Sequence, residues 1–228
     1  MEVQSTVYYI WAVTGIIALL LLFINLKLRK FDPLSQPKGI VLVVMMAAQA
    51  IENMVREKTN DDLVKKLSPY IATVGIYIFV SNIAGLFSLE SPTANFSVTL
   101  TLAAITCILI EVNAVKYNGG KQYVKSLFEP FAPFVLINII SKISTLASLS
   151  LRLFGNIMAG SILMKVIYQL LASISGAIAP ALGNFNIFGV LLAPVLHFYF
   201  DLFSGAMQTY IFVILSISFI GKELPKQD

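Results

Sequence analysis

Residues 131–181 read FAPFVLINIISKISTLASLSLRLFGNIMAGSILMKVIYQLLASISGAIAPA, an apolar stretch whose charged side chains are Lys142, Arg152 and Lys165. An arginine near the centre of a bilayer costs about 2.5–3.5 kcal/mol on insertion scales. Because a guanidinium keeps its proton under the conditions found in proteins, arginine cannot avoid that cost by becoming neutral. If this stretch crosses a membrane, Arg152 therefore marks a functional site.

The composition indicates a membrane protein. The 228 residues are 57% hydrophobic and 12% charged, whereas an ordinary soluble domain is about 25% charged. Apolar stretches near the length of a membrane-spanning helix cover residues 7–26, 70–89, 96–110, 131–181 and 187–220. We predict an all-α polytopic protein with about five membrane helices. The last two stretches exceed one crossing, so each is either a long tilted helix or a helix followed by a re-entrant segment.

Other function classes find little support in the sequence. Cys107 is the single cysteine, which excludes an intrachain disulfide and a thiolate metal cluster. The stretch 118–121, NGGK, lacks the full spacing of a phosphate-binding loop and a preceding strand. The basic residues lie between the apolar stretches, so the net charge of +4 does not indicate nucleic-acid binding. We expect no cofactor, no metal, no nucleic-acid partner and no catalytic site.

The distribution of basic residues predicts the orientation in the lipid bilayer. Lysines and arginines occupy the first and third loops and the carboxyl terminus, whereas residues 88–95 and 173–186 contain none. By the positive-inside rule, the amino terminus lies outside and the carboxyl terminus lies in the cytoplasm. This pattern and the chain length favour a bacterial plasma membrane. The start of the chain lacks a basic n-region, which favours a retained helix over a cleaved signal peptide.

The same stretches predict four segments. Residues 1–30 form the first transmembrane helix, residues 31–68 a cytoplasmic loop, residues 69–118 a transmembrane hairpin, and residues 119–228 a long tilted helical hairpin. Within the loop, residues 40–66 are predicted to be one helix with an apolar first half and a charged second half. We expect this helix to lie on the cytoplasmic surface of the membrane, or to dock a partner protein.

Polar residues recur at helical spacing in both long stretches. One stripe, with steps of four, three, four, four and three, consists of Ser141, Thr145, Ser148, Arg152, Asn156 and Ala159. The opposite face carries Leu146, Leu149, Leu153 and Ile157, which suit lipid or protein. The last stretch repeats the pattern with His197, Asp201, Ser204 and Gln208. Because unsatisfied polar groups are costly in hydrocarbon, the two stripes predict a hydrated path beside a fixed cation.

Structural roles remain open for several of these residues. Serine and threonine in membrane helices often bond to their own backbone or serve close packing. His197 is alternatively an interfacial histidine, and Asp201 is alternatively the counter-ion of Arg152. Lys165 either extends to the outer surface or lines the path.

Two motifs resemble a known family. Residues 148–160, SLSLRLFGNIMAG, resemble the arginine signature of subunit a of F-type ATP synthases. Residues 201–212, DLFSGAMQTYIF, are similar to the glutamine-bearing motif of the same family. Residues 81–87, SNIAGLF, and residues 92–100, PTANFSVTL, match its second helix and outer loop. The resemblance covers roughly residues 65–221 in the family's order.

The resemblance implies an ion-translocating membrane stator. In this family, subunit a faces a rotating c-ring, and two offset half-channels connect the ring carboxylates to the two sides of the membrane. Arg152 is then the barrier between the half-channels, with Gln208 beside it and Asn156 supporting it. Asn82, Asp201 and His197 are expected to line the outer half-channel. The implied partners are the c-ring, the peripheral-stalk b subunits and the rest of the F-type ATP synthase complex, and the ion is expected to be a proton.

The sequence departs from the family where acidic residues are common. Ser161, Asn138 and Asn95 are neutral at such positions, and Lys142 and Lys165 add positive charge. The outer half-channel is therefore expected to depend on Asp201, with Ser161 and Lys165 as further lining residues. The inner half-channel is expected to lack a carboxylate and to use Asn138, Thr145 and Ser148 with water.

Two other functions compete with this interpretation. An anion transporter would use Arg152 to bind a substrate carboxylate or phosphate through paired hydrogen bonds. The absence of an internal repeat weakens it. A purely structural assembly subunit would need no ion path, and the polar stripe of the last helix argues against it.

Overall fold

A computed structural model describes residues 5–31, 36–87, 89–129, 131, 133–178 and 186–224. Within these residues all regular secondary structure is helical. The α-helices are α1 (Ser5–Arg29), α2 (Ile40–Arg56), α3 (Asp61–Ile83), α4 (Phe96–Asn118), α5 (Gly120–Leu127), α6 (Phe134–Ile178), α7 (Ile187–His197) and α8 (Ser204–Lys222). Two 3₁₀ turns, Ala84–Phe87 and Pro92–Ala94, connect α3 to α4, and a π-helical segment, Phe198–Phe203, joins α7 to α8.

The prediction of five membrane helices is confirmed. Among the described residues, five helices are long and apolar enough to cross a membrane, and they are Val7–Arg29, Asp61–Phe87, Phe96–Asn118, Phe134–Ile178 and Ile187–Lys222. Helix α6 has 45 residues, or about 67 Å of helix axis. A perpendicular crossing needs about 20 residues, so α6 fits a bilayer only when tilted or protruding. Residues 179–185, in the predicted loop 173–186, lie outside the described residues.

The prediction of one helix over residues 40–66 is wrong. Helix α2 ends at Arg56, a turn follows, and α3 begins at Asp61 and continues into the second membrane helix. Asn60 has extended backbone angles (φ −79°, ψ 154°) at the amino-terminal boundary of α3, followed by Asp61 and Asp62 in the first turn. Carboxylates are stabilised by the partial positive charge of a helix amino terminus. Asp61 and Asp62 therefore favour the start of a new helix at this point.

The helices pack around three apolar clusters. One joins α2, α3, α4 and α8 around Val55, Leu67, Ile110, Ile217 and Ile220. The next joins α3, α4, α6 and α8 around Val74, Ile78, Ala103, Leu149, Leu153 and Phe212. The third fixes α1 against α3 through Val13, Ile17 and Ala84. The face of α6 that carries Leu149 and Leu153 is therefore packed against protein.

Two glycines let α8 and the π-helical segment approach α3 closely. A Cβ atom on Gly205 would lie 2.9 Å from the Cβ of Asn82, which is closer than two non-bonded carbon atoms approach one another. A Cβ on Gly85 would lie 3.3 Å from the Asp201 carboxyl carbon. The absence of a side chain at each position therefore sets where Asp201 and the start of α8 meet the end of α3.

The basic segments gather at one end of the helix bundle. The turn after α2 reaches α8, because a Cβ on Gly221 would lie 2.4 Å from the backbone oxygen of Lys58. At the same end, the side-chain amide of Asn118 donates a hydrogen bond of 2.7 Å to the carbonyl of Glu223. Helix α5 follows Asn118 directly. The first loop, the third loop and the carboxyl-terminal segment thus share one end, as the positive-inside pattern requires.

Candidate functional site

All five predicted outer residues line one cavity, which we call the His197 cavity. It has a volume of about 760 Å³ and lies between the end of α3, the start of α4, the second half of α6 and the end of α7. The predicted residues that line it are Asn82, Asn156, Ser161, Lys165, His197 and Asp201. Glu90, Asn95 and Tyr168, which were not predicted as site residues, also line it. Side chains separated by more than 100 residues thus share one polar space.

His197 and Asp201 are in hydrogen-bond contact in this cavity. Nδ1 of His197 lies 2.6 Å from a carboxylate oxygen of Asp201, and the Tyr168 ring centre lies 6.3 Å from the His197 ring centre. The pair spans the junction of α7 and the π-helical segment. Within the described part of the chain, Asp201 makes no ion pair with Arg152. The counter-ion role considered for Asp201 is therefore not observed.

Asn82 lies at the wall of the cavity and also connects three elements. Its amide donates a hydrogen bond of 3.2 Å to the Gly205 carbonyl, and its oxygen accepts one of 2.8 Å from Thr93. Thr93 lies 2.7 Å from the Ser91 hydroxyl, which donates to the Ser81 carbonyl. Only 2% of Asn82 is exposed. This network fixes the α3–α4 connection against the start of α8.

Asn156 sets the register between the two long helices. The hydroxyl of Ser204 donates a hydrogen bond of 3.0 Å to the side-chain oxygen of Asn156. One turn away, a Cβ on Gly160 would lie 3.8 Å from the Phe200 ring. Since these pairs show that α6 runs antiparallel to α8, the next turn brings Arg152 level with Gln208. Asn156 therefore joins α6 to α8 one turn away from Arg152.

Gln208 is buried, and the hydrogen-bonding capacity of its side-chain amide is only partly used among the described residues. It is 7% exposed, and its side-chain nitrogen has no hydrogen-bond partner among the described residues. A buried amide without a partner is costly, so such a group in a native protein calls for an explanation. Gln208 thus has donor capacity available at the level of Arg152.

Arg152 carries a charge that no acidic group neutralises within the described residues. Its guanidinium donates one long hydrogen bond, 3.4 Å, to the Ser148 hydroxyl, and it forms none of the ion pairs found among those residues. The neighbouring turns of both helices expose apolar side chains, which include Leu151, Met158 and Ile162 on α6 and Met207 and Tyr210 on α8. Arg152 therefore lies on a surface that suits a further membrane partner.

A second polar cavity, which we call the Glu111 cavity, lies at the basic end. It has a volume of about 490 Å³ and includes Glu111, Tyr123, Lys142 and Thr145 in its lining. The ammonium of Lys142 lies 2.7 and 2.5 Å from the two oxygens of Glu111. The Tyr123 hydroxyl also donates to Glu111. This cavity therefore contains a carboxylate that was not predicted from the sequence.

Of the three residues predicted for the inner half-channel, Thr145 lines the Glu111 cavity, whereas Asn138 and Ser148 do not. The side-chain amide of Asn138 donates to the Leu127 carbonyl at 2.8 Å, so it stabilises the connection between α5 and α6 and is absent from the lining of the Glu111 cavity. Thr145 faces the cavity while its hydroxyl donates to the Ser141 carbonyl. Ser148 lies one turn further along α6 and contacts Arg152. Thr145 and Ser148 thus lie between the cavity and the guanidinium.

Glu111 was not predicted as a site residue because it lies outside the polar stripes of the two long stretches. The sequence did contain an indication, since Glu111 is the single acidic residue of α4, and an ionisable group within a membrane helix indicates a functional site.

The environment of Glu111 includes Tyr123 on α5, outside the membrane-spanning segments. Burial raises the pKa of the Tyr123 phenol, and the hydrogen bond to the Glu111 carboxylate raises it further. Tyr123 therefore acts as a neutral hydrogen-bond donor.

Within the described residues, the fold and site define a class: a helical membrane protein in which an arginine without an ion pair lies along α6 between the His197 and Glu111 cavities. The family model of the ATP synthase A chain matches residues 7–221. The chain therefore belongs to the ATP synthase A chain family. It is a membrane protein and a component of the ATP synthase complex. The family assignment gives no support to the anion transporter.

Curated relatives agree with this family. The chain is 30% identical over 219 residues to an ATP synthase subunit a from Mycoplasma genitalium, which covers 88% of this chain and 73% of the relative. It is 32% identical over 183 residues to one from Desulforamulus reducens, with 80% and 64% covered. It is 34% identical over 163 residues to one from Staphylococcus aureus, with 67% and 64% covered. The chain thus spans about two thirds of the length of these relatives.

Proposed function

We propose that this chain translocates protons across a bacterial plasma membrane as the stator subunit a of an F-type ATP synthase, with Arg152 separating two half-channels that open to a c-ring. One observation carries the proposal: an arginine without an ion pair among the described residues lies between two polar cavities on an uncovered apolar surface. A ring of c subunits, each with one carboxylate, supplies the missing negative charge as it passes.

The charge of Arg152 has two roles: it promotes proton release from a ring carboxyl, and it prevents leakage between the half-channels. A nearby cation favours the ionised form of a carboxylic acid, so a ring carboxyl that reaches Arg152 loses its proton. The same charge repels a cation that would pass directly from one half-channel to the other. Each elementary charge crossing the membrane releases about 2.3 kcal/mol per 100 mV, and leakage would lose that energy without turning the ring. Gln208, buried at the same level, offers a donor to the ring carboxylate.

The His197 cavity forms the outer half-channel. It lies at the end of the bundle opposite the basic loops, so the positive-inside rule places it outside, together with the amino terminus. Its titratable pair is His197 and Asp201, at 2.6 Å. Ser161 and Lys165 line the same space, and Asn82 and Asn156 shape its wall.

The Glu111 cavity opens to the cytoplasm and forms the inner half-channel. Thr145 lies in its lining, about 10 Å along the α6 axis from Arg152. Ser148 bridges the remaining turn through its hydrogen bond with Arg152. Asn138 serves this end indirectly, because its bond to Leu127 holds α5 against α6.

The remaining contacts of the chain in the assembly follow from the same proposal. The apolar surface around Arg152 faces the c-ring, and the peripheral-stalk b subunits hold the chain still while the ring turns. The chain itself is non-catalytic, and the soluble head of the complex makes or hydrolyses ATP. The four segments, 1–30, 31–68, 69–118 and 119–228, keep the orientation given by the positive-inside rule. The exposed apolar start of α2 lies on the cytoplasmic membrane surface.

Purification from membranes tests the proposal. A tagged chain should co-purify with a c-ring and a soluble ATPase head, and vesicles containing the purified complex should acidify on addition of ATP. The Arg152→Ala complex should assemble without that acidification. A chain that purifies alone, or a complex that binds no c-ring, would contradict the proposal.

A further inference from the structure

The Glu111 cluster is built from three elements that the sequence separates. Glu111 lies on α4, Tyr123 on α5 and Lys142 on α6. The ammonium of Lys142 reaches both oxygens of Glu111 at 2.7 and 2.5 Å and the Tyr123 hydroxyl at 3.1 Å. It also lies 4.8 Å from the centre of the Tyr123 ring. The carboxylate therefore has a fixed position and a fixed charge partner.

The cluster is open to water. The side chains of Glu111 and Lys142 are 34% and 33% exposed, and both line the cavity of about 490 Å³. A buried ion pair contributes little to stability, because its attraction has to offset the cost of removing both charges from water. A pair facing a hydrated cavity instead offers a carboxylate that can exchange protons with the solvent in that cavity.

Resting on the proposed function, we propose that Glu111 is the proton-exchanging carboxylate of the cytoplasmic half-channel, with Lys142 and Tyr123 holding it in place. It takes the role that no acidic side chain of α6 can fill, since the charged residues of α6 are Lys142, Arg152 and Lys165. Thr145 lines the same cavity, so a water chain from Glu111 reaches Arg152 through Thr145 and Ser148.

The proposed proton transfer between the ring carboxyl, water and Glu111 regenerates the Glu111 carboxylate in either direction. During ATP synthesis, water carries the proton that a ring carboxyl releases, and the Glu111 carboxylate accepts it and becomes a neutral carboxyl. The carboxyl then gives the proton to water at the cytoplasmic mouth, which regenerates the carboxylate. Lys142 keeps its proton throughout, so the neutral carboxyl leaves an uncompensated ammonium and is short-lived. During pumping, the same steps run in reverse.

The test compares Glu111→Gln with the double variant Glu111→Gln/Lys142→Met in the intact complex in vesicles. ATP-driven acidification and passive proton flux are measured per assembled complex. A positioned proton-transferring group contributes about 10²–10⁴-fold, and because water offers a bypass, we expect Glu111→Gln to lose at least about tenfold in flux. The double variant removes the unpaired ammonium but should remain equally slow, whereas Glu111→Asp should retain more flux than either.

A control and two outcomes decide the inference. Glu57→Gln removes an exposed carboxylate outside both cavities and should leave flux unchanged. Wild-type flux in Glu111→Gln would overturn the inference, and so would recovery of wild-type flux in the double variant, because the pair would then be structural. A separate Arg152→Ala complex tests the proposed function. If it loses pumping while Glu111→Gln does not, only the inference about Glu111 fails.

Discussion

Arg152 and its surroundings explain why an arginine, and not merely a positive charge, stands at this position. Its hydrogen bond to Ser148 is long, and no carboxylate pairs with it within the described residues. An ammonium group in the same place becomes neutral readily when it is desolvated, whereas a guanidinium does not. Arginine also offers several donors to a passing carboxylate at once.

We therefore predict that Arg152→Lys is not a neutral change. The lysine should lose its proton as the ring covers it, so ATP-driven acidification should fall well below the wild-type rate while the complex still assembles. The measurement is the initial rate of acidification in vesicles at several pH values. Wild-type rates at every pH would show that the permanence of the charge is irrelevant.

The outer carboxylate gives a second residue-scale prediction. Asp201 lies 2.6 Å from His197 in the His197 cavity, so Asp201→Asn removes the titratable acid of that pair. We expect slower passive flux and slower pumping, by about tenfold or more if Asp201 transfers protons directly. Asp62→Asn, an exposed aspartate in the first turn of α3, is the matched control. Equal flux in the Asp201→Asn and wild-type complexes would remove Asp201 from the path.

At the scale of elements, the contact between α3 and α8 positions the His197 cavity. Asn82 donates to the Gly205 carbonyl, and a Cβ at Gly205 would come within 2.9 Å of the Asn82 Cβ. The polar network and the close approach therefore depend on each other. Any side chain at position 205 has to push the two helices apart.

Gly205→Ala should accordingly destabilise the protein. Overpacking typically costs about 1–3 kcal/mol, which exceeds the gain in helix propensity of about 1 kcal/mol from replacing glycine by alanine. Gly176→Ala in α6 meets no atom within 4 Å and serves as the control. Thermal unfolding of the purified complex in detergent measures both. A Gly205→Ala complex that melts at or above the Gly176→Ala temperature would contradict the packing argument.

Much of the element order was predictable because a membrane restricts the possibilities. Apolar length alone located five membrane helices, and helical spacing placed His197, Asp201 and Asn156 on faces that meet in one cavity. The π-helical segment was not predictable, because the apolar stretch 187–220 has the same hydrophobic pattern whether its turns are α-helical or π-helical. Glu111 was not predicted because it lies just beyond the apolar stretch 96–110 and outside both polar stripes, and its contact with Lys142 joins residues 31 positions apart.

At the scale of the whole molecule, the proposed direction of the path follows from the charge asymmetry of the helix bundle. The turn after α2, α5 and the end of α8 gather at one end, and the His197 cavity lies at the other. The Glu111 cavity lies at the basic end, next to Lys222 and Glu223. The two cavities therefore lie at opposite ends of the helix bundle.

Cysteine labelling tests this orientation. In a Cys107→Ser background, Glu90→Cys should react with a membrane-impermeant maleimide added outside whole cells, because residue 90 lies in the loop of the His197 cavity. Lys121→Cys, exposed on α5, should react only in inverted vesicles. The reverse pattern would exchange the inner and outer half-channels and contradict the proposed direction.

The most direct test of the central claim is Arg152→Ala in the intact complex reconstituted in vesicles, with ATP-driven acidification and passive proton flux followed in the same preparation. Arg152 is proposed to separate the half-channels, so acidification should disappear while passive flux stays equal or increases. If acidification continues at the wild-type rate in Arg152→Ala, Arg152 does not separate the half-channels.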